Sequence, residues 1–262
     1  LADQHYKSIK NLASKLNLSV AVLTGSTKEK ERKVILNQLK KGEINILIGT
    51  HALIEKRVEF MRLGLVIIDE QHKFGVAQRA KLWSKKKEFY PHVLVMTATP
   101  IPRTLALTLY GDLDVSVIDE LPLGRKEIIT SHRFDNSRLK VFNFIKETIK
   151  IGGQVYIVYP LIEESEKKDH KDLMDGYESL KRYFPETQIG VLHGRMKSVN
   201  KEFEMKRFAD GKSKILVSTT VIEVGVDVPN ASVIIIESAE RFGLSQLHQL
   251  RGRVGRGIVQ SY

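Results

Sequence analysis

Cysteine is absent from the 262-residue chain. Its absence excludes disulfide bonds and thiolate metal centres, and it suits a reducing compartment. The chain also lacks any run of the roughly 18 apolar residues that a membrane span needs. Its first residues, LADQHYKSIK, have no apolar core of the kind found in signal peptides. These absences favour a cytoplasmic protein without a membrane segment.

Several sequence motifs that identify common binding sites are also missing. The histidines form no H-E-x-x-H pattern, so we predict no zinc site. The segment DGKSK (210–214) contains Gly-Lys-Ser, but Lys206 stands where a P-loop has its first glycine. It follows a predicted helix, so we expect a helix end and a turn there. The glycines of GRVGRG (252–257) run in the reverse order of the G-x-G-x-x-G fingerprint.

Acidic residues are too few to balance the basic ones, and the formal net charge is +11. A basic excess favours a polyanionic partner, most commonly nucleic acid. Charge runs such as KEKERKV (28–34) are equally typical of solvated helix faces. Charge alone therefore leaves open both a nucleic-acid-binding protein and a merely lysine-rich one.

Short β-branched runs alternate with helix-length segments along the chain. The runs are apolar throughout, as expected of parallel strands covered on both faces. The predicted strands are Val20–Leu23, Ile44–Ile48, Leu65–Ile68, Val93–Met96, Ile128–His132, Gln154–Val158, Gln188–Leu192, Lys214–Ser218 and Val233–Glu237. This alternation predicts an α/β fold with doubly wound parallel sheets.

Two of the predicted helices have recognisable ends or faces. Ser26-Thr27 offers an N-cap before KEKERKVILNQLKKG, and Gly42 is expected to end that helix. The helix after Ser137 is predicted to have one apolar stripe. Its members are Leu139, Phe142, Ile145 and Ile149.

The stretch DELPLGRKEI (119–128) separates two series of predicted strands. Its proline, glycine and mixed charges are typical of an interdomain linker. We therefore expect a first domain at residues 1–121, a linker at 122–128 and a second domain at 129–262.

Asp69 and Glu70 follow the apolar strand in LGLVIIDEQHKFG (63–75), at the strand end where open α/β sheets bind ligands. Such a pair can hold Mg²⁺ largely through water, while the second carboxylate activates an attacking water. The alternative is an acid pair that stabilises the N-terminus of the next helix. The other polar strand ends, at 49–51, 97–104 and 218–230, favour a ligand-binding surface.

The sequence QLHQLRGRVGRG (246–257) sets Arg251, Arg253 and Arg256 among three glycines. Arginine makes bidentate phosphate contacts and stabilises transition-state charge, and glycine permits close approach to a ligand. A generic basic loop is the alternative, which the arginine spacing behind Gln249 disfavours.

These segments together resemble the motor core of superfamily 2 helicases, and specifically the RecG family of bacterial branched-DNA helicases. The resemblance is carried by DEQHKFGVAQR (69–79), MTATPIPRTLALTLYGDLDVSVIDELP (96–122), VYPLIEESE (158–166), VLHGRMKS (191–198), STTVIEVGVDVPNA (218–231) and ERFGLSQLHQLRGRVGRG (240–257). It implies two RecA-like parallel-sheet domains of the P-loop NTPase fold. Residues 1–6 resemble the end of motif Ia, which follows the phosphate-binding loop in this family. We therefore expect the first domain to be truncated at its N-terminus and the isolated chain not to hydrolyse ATP.

The resemblance also implies ATP and Mg²⁺ as cofactors. Asp69 would hold Mg²⁺ through water, and Glu70 would be the general base. The other implied residues are Gln249, Arg253 and Arg256 in catalysis, Gln71, His72, Gly225 and Asp227 in nucleotide binding, and Thr97 and Thr99 in coupling ATP to DNA.

The expected partner is branched or forked DNA, such as Holliday junctions and stalled forks, bound by a monomer. Thr50, Thr219 and Thr220 lie at predicted strand-to-helix turns, where free amides attract phosphate, although each could be an ordinary N-cap. The resemblance adds Arg103, His193 and Arg195 as DNA contacts.

Three alternatives to the RecG family remain at this point. The motor of transcription-repair coupling factors is similar, but that family has a second glutamate where this chain has Gln71, and it lacks PLIEESE. DEAD-box RNA helicases resemble the chain less, because Gln71-His72 replaces Ala-Asp. From another class, a basic nucleic-acid-binding module without hydrolysis would fit the missing P-loop.

Overall fold

The computed structural model of the protein describes residues 2–69, 91–98, 114–160, 166–219 and 228–262, without the side chains of 166–172. Contacts divide the chain into two compact units, Leu1–Ala98 and Thr99–Tyr262. Residues 99–113 lie outside the described ranges, so this division does not test the linker at 122–128. The domain limits remain predictions.

The described part of the first unit contains two pairs of parallel strands. Its helices are α1 (Ala2–Ala13) and α2 (Glu29–Lys41), with 3-10 turns at Ser14–Leu16 and His51–Ile54. Its strands are β1 (Val20–Leu23), β2 (Ile46–Gly49), β3 (Leu65–Ile68) and β4 (His92–Val95). β1 pairs with β2 and β3 pairs with β4, both in parallel register. The runs predicted to be strands in this unit are therefore confirmed, with shifts at the ends of β2 and β4.

Helix α2 begins and ends for different reasons. Gly42 closes it in the left-handed region, at φ 76°, and accordingly confirms the predicted helix end. The predicted N-cap is wrong, because Lys28 takes that position and makes no side-chain cap hydrogen bond. The Thr27 hydroxyl instead accepts a hydrogen bond from the Thr24 amide, 2.9 Å away.

The described part of the second unit is a four-stranded parallel sheet with helices. Its helices are α3 (Arg138–Lys150), α4 (Glu166–Tyr183), α5 (Ser198–Ala209) and α6 (Leu244–Arg251). Its strands are β5 (Gln154–Tyr159), β6 (Ile189–Leu192), β7 (Ile215–Thr219) and β8 (Ala231–Ile236), in the order β6-β7-β5-β8. Short 3-10 turns occur at Asp135–Ser137 and Ala239–Arg241. Among the described residues, no helix is both long and apolar enough to span a membrane.

Successive side chains of β5 point to opposite faces of this sheet, and all are buried. Tyr156 and Val158 join one core cluster, which includes Phe208 of α5 and Leu250 of α6. Val155 belongs to the cluster on the other face, where α3 and α4 contribute their apolar side chains. The sheet is thus covered on both faces, as its apolar sequence predicts.

Three expectations about packing differ from the structure. Ile128–His132 is not a strand, since Ile129 makes a hydrogen bond with Ser261 but no ladder continues beyond it. Leu139 is 67% exposed and so lies outside the buried stripe of α3. Strand β3 is not covered on both faces, because Leu65 and Ile67 are each 56% exposed.

Gln154 joins the start of β5 to two neighbouring segments. Its side chain is fully buried, and its Nε2 donates to the backbone oxygens of Phe208, at 2.6 Å, and Ser213, at 2.8 Å. We expect Gln154→Leu to lower the free energy of unfolding by about 2–4 kcal/mol, because two buried carbonyls lose their donor. Gln188→Leu removes an exposed hydrogen bond to Arg207 and should cost about 0.5 kcal/mol. Urea unfolding followed by circular dichroism checks both values, and equal losses would contradict the role of Gln154.

Candidate functional site

In the first unit, Asp69 lies directly after β3, whose last residue Ile68 is buried. The Asp69 Oδ2 atom lies 3.3 Å from Nε2 of His5 on α1, and both side chains are partly exposed. The sequence did not point to His5, because the two residues are far apart in the chain and no local pattern links them. Glu70, Gln71 and His72 lie outside the described residues.

The Asp69 carboxylate suits a magnesium ion held mainly by water and phosphate. Mg²⁺ retains several waters and takes one or two protein carboxylates. In the described ranges no three His, Cys, Asp or Glu side chains cluster to form a metal cage of their own. A partly exposed carboxylate at a strand end therefore fits the ion that the sequence predicts.

Two predicted threonines also lie at strand ends of the first unit. Thr50 follows β2 and is the N-cap of the His51–Ile54 turn, where its carbonyl accepts from the Leu53 amide at 3.0 Å. Its hydroxyl makes no cap hydrogen bond and the residue is exposed. Thr97 follows β4 and is exposed as well. Thr99 and Arg103 lie outside the described residues.

In the second unit, the turn after β6 presents His193, which is half-buried, and Arg195, which is exposed. Thr219 ends β7 and is 3% exposed, and its hydroxyl has no hydrogen-bond partner within the described part of the chain. A DNA contact by Thr219 stays a prediction. Thr220, Gly225 and Asp227 lie in the segment 220–227, which is outside the described residues.

The arginine-rich segment is built on α6 and the loop after it. Gln249 lies on α6, while Arg253 and Arg256 follow it; all three are half-buried. Leu250 and Val254 anchor the segment in the core of the second unit. The guanidinium of Arg256 donates from Nε to the Gly252 carbonyl at 3.4 Å.

Two glycines of this segment lie too close to neighbouring residues to accommodate a side chain. A Cβ atom on Gly255 would lie 2.9 Å from Ile128 Cγ1, and φ at Gly255 is +76°. A Cβ on Gly257 would lie 2.7 Å from the Pro229 carbonyl oxygen. Both positions therefore need glycine for the loop to lie against its own unit.

Glu237 is a titratable group at the end of β8 that the sequence analysis missed. Burial raises the pKa of its carboxyl; Arg138, whose Nη2 lies 3.6 Å away, opposes the rise, and Asp135 adds to it. A raised folded-state pKa contributes stability that is complete below the unfolded pKa and is lost as pH rises through the folded value. Ionised Glu237 therefore stabilises the fold less than protonated Glu237 does.

We expect Glu237→Gln to raise the melting temperature more at pH 7.5 than at pH 4.0, relative to the unsubstituted chain. The amide cannot ionise, so it avoids the burial of charge that sets in as pH rises. Glu240→Gln is the matched control, because Glu240 is exposed. Thermal melts at the two pH values measure the difference, and an equal shift at both would contradict the assignment.

Comparisons with known proteins match both halves of the chain to helicases. A family model described as DEAD/DEAH box helicase matches residues 1–108, and one described as Helicase conserved C-terminal domain matches residues 139–257. The ATP-dependent DNA helicase RecG of Synechocystis sp. is 57% identical to this chain, in an alignment that covers 100% of the chain and 31% of the Synechocystis protein. The RecG protein of Aquifex aeolicus is 54% identical, in an alignment that covers 100% of the chain and 33% of the Aquifex protein.

A solved structure of RecG bound to a three-way DNA junction matches with a TM-score of 0.75 at 48% identity, covering 98% of this chain and 33% of that one. The α/β fold with RecA-like parallel sheets is thereby confirmed. The chain spans about a third of the length of the curated relatives just named. RecG proteins match the chain from end to end at 49–57% identity, so the chain is similar over its whole length to a segment of RecG.

Proposed function

We propose that this chain is the motor core of an ATP-dependent DNA helicase that drives branch migration or fork regression in recombination and repair. The observation that carries the proposal is its end-to-end match to proteins named ATP-dependent DNA helicase RecG. The RecG structure solved with a three-way junction supports branched DNA as the partner. The transcription-repair alternative is not favoured, because these relatives are RecG proteins. We further propose that the protein acts as a monomer in the bacterial cytoplasm.

Helicase domains imply nucleotide-dependent activity, and we assign ATP as the nucleotide. Asp69 would hold Mg²⁺ through water, and that ion, when bound, would neutralise phosphate charge. Glu70 accepts the proton of the attacking water. Arg253 and Arg256 stabilise the charge that develops on the transferred phosphoryl group. Gln249 is assigned to catalysis with these arginines. The remaining assignments are Gln71, His72, Gly225 and Asp227 to ATP binding, and Thr97 and Thr99 to coupling with DNA.

The DNA contacts are directed mainly at phosphates, in keeping with the net charge of +11. Their proposed residues are Thr50, Arg103, His193, Arg195, Thr219 and Thr220. Exposed Thr50 and Arg195 lie at the carboxyl ends of β2 and β6. Alternation of nucleotide-bound and nucleotide-free states would then change the grip on DNA and produce stepwise movement.

Fluorescence anisotropy with a labelled three-way junction tests this partner on the 262-residue chain. We expect binding whose log K falls linearly with log salt, with a slope of about −2 to −3 for the proposed cationic contacts. Arg195→Met should reduce that slope by about 1. Absence of binding, or binding that salt does not weaken, would overturn the DNA assignment.

A further inference from the structure

The turns after β1 and β6 have the same form in the two units. Their sequences are LTGSTK (23–28) and LHGRMK (192–197). Lys28 is the N-cap of α2 at φ −60° and ψ 143°, and Lys197 is the N-cap of α5 at φ −62° and ψ 146°. Neither cap makes a side-chain hydrogen bond. Each turn is closed instead by a backbone hydrogen bond of its own, from the Thr27 amide to the Thr24 carbonyl and from the Met196 amide to the His193 carbonyl.

In both units a cation on the first turn of the helix contacts the turn before it. Arg32 Nη2 donates to the Thr24 carbonyl at 2.8 Å. Lys201 Nζ donates to the Gly194 carbonyl, also at 2.8 Å. A charged donor makes a stronger hydrogen bond to a carbonyl than a neutral donor does, so each turn is tied to its helix.

Arg32 also reaches a second strand-end segment of the first unit. The residue is only 4% exposed, and its Nη1 atom lies 3.4 Å from both carboxylate oxygens of Glu55. Glu55 directly follows the His51–Ile54 turn that begins after Thr50. Its pKa is lowered, first by the hydrogen bond from Arg57 and further by the charges of Arg57 and Arg32. The buried guanidinium thus links the turn after β1 to the segment after β2.

A buried guanidinium is retained at a free-energy cost unless it is paired and hydrogen-bonded. Arg32 satisfies that requirement with groups from two different loops, so neither loop can move without leaving a buried donor unpaired. Loops fixed in this way lose less conformational freedom when a ligand binds. Lys201 restricts the turn after β6 in the same manner, although from a more exposed position.

We propose that Arg32 and Lys201 are matched positioning residues for the DNA backbone. Arg32 holds the segment of Thr50 through Glu55, and Lys201 holds the turn that carries His193 and Arg195. Neither cation needs to touch DNA itself. The inference rests on the proposed function, since the ligand is the sugar-phosphate backbone of a DNA strand.

Glu55→Gln gives the sharpest test, because an electrostatic role and a positioning role of Glu55 predict opposite changes in the affinity for the junction. Loss of a negative charge from a DNA-binding protein should tighten binding if only electrostatics matters. If Glu55 and Arg32 position the Thr50 segment, junction binding should instead weaken by about 3- to 10-fold. Glu31→Gln on α2 removes a carboxylate that is more exposed than that of Glu55, and it should not weaken binding. Anisotropy with the labelled three-way junction measures both variants of the 262-residue chain.

The cations are tested in the same assay. Arg32→Met and Lys201→Met should each weaken junction binding, and Arg32→Lys should recover part of the loss because it keeps the charge but not the fork of donors. The controls are Lys40→Met on α2 and Lys206→Met on α5, which remove exposed charges from the same helices. Thermal melts report whether each variant folds. If Arg32→Met does not fold, Glu55→Gln and Lys201→Met still decide the outcome.

The outcomes separate this inference from the function on which it rests. If the unsubstituted chain binds the junction while Glu55→Gln binds as tightly or more tightly, the positioning role of Arg32 is overturned and the DNA partner stands. If Lys201→Met and Lys206→Met weaken junction binding equally, Lys201 has no positioning role. If the unsubstituted chain does not bind the junction, both the DNA assignment and the inference fail.

Discussion

Arg256→Ala is expected to lower the rate of ATP hydrolysis by about 10³–10⁵. The measurement requires a chain that continues upstream of Leu1 far enough to include the expected phosphate-binding loop, which we call the extended chain. In its proposed role the guanidinium stabilises charge on the transferred phosphoryl group, and this charge is largest in the transition state. The rate constant should therefore fall while the affinity for ATP changes little.

The position of Arg256 in the fold supports this expectation. Val254, between Arg253 and Gly255, is 2% exposed and anchors the loop in the core. Arg256 itself is half-buried, so its side chain is restricted before a ligand arrives.

Arg251→Ala is the matched control for this variant. Arg251 is exposed, and its Nη2 atom lies 3.2 Å from Nδ1 of His248 on the same helix. We expect its loss to change turnover by less than about tenfold, since surface substitutions rarely exceed a fraction of a kcal/mol. Steady-state kinetics at saturating ATP compares the two, and near-normal turnover by Arg256→Ala would remove it from the catalytic residues.

Glu70→Gln is expected to slow ATP hydrolysis in the extended chain by about 10²–10⁴, the range for loss of a general base. The amide keeps the shape of the side chain but cannot take a proton from water. ATP binding should survive, because the proposed Mg²⁺ ligand is the neighbouring Asp69. Asp69→Asn should weaken Mg²⁺-dependent nucleotide binding as well as turnover.

The two variants thus separate the roles of the adjacent acids. Nucleotide affinity is measured with a fluorescent ATP analogue and turnover by phosphate release. Glu43→Gln, which alters an exposed carboxylate of the same unit, should leave both unchanged. Normal turnover by Glu70→Gln, or equal losses of nucleotide affinity in both variants, would contradict the assignment.

The strands were predictable where local sequence and burial agree. The apolar runs of β5 and β7 are buried along their whole length, and such runs indicate central parallel strands. Ile128–His132 is also rich in β-branched residues, but it pairs through one backbone hydrogen bond, between Ile129 and Ser261. Composition reports that a residue suits a strand; it cannot report whether a neighbouring strand is present.

The N-cap of α2 and the role of the glycines show a related limit. Ser and Thr are good caps, yet the Thr27 hydroxyl is used within its own turn, a competition that propensity does not resolve. The glycines after α6 looked suited to a ligand, but Gly255 lies against Ile128, a contact between residues distant in sequence.

The candidate site was predictable only in part for the same reason. Strand ends identified Thr50 and Asp69, because a strand and the polar residue after it are adjacent in the chain. The contact between His5 and Asp69, and the link from Arg32 to Glu55, join residues brought together by folding. No local sequence pattern marks these contacts, so they could not be predicted from a single sequence.

ATP hydrolysis by the extended chain shows whether the protein is a nucleotide-driven motor for branched DNA. Phosphate release is measured with and without a three-way junction, alongside Asp69→Asn. We expect hydrolysis that the junction stimulates and that Asp69→Asn abolishes. An extended chain that folds and binds the junction, yet hydrolyses ATP at a rate that neither the junction nor Asp69→Asn changes, would contradict this function.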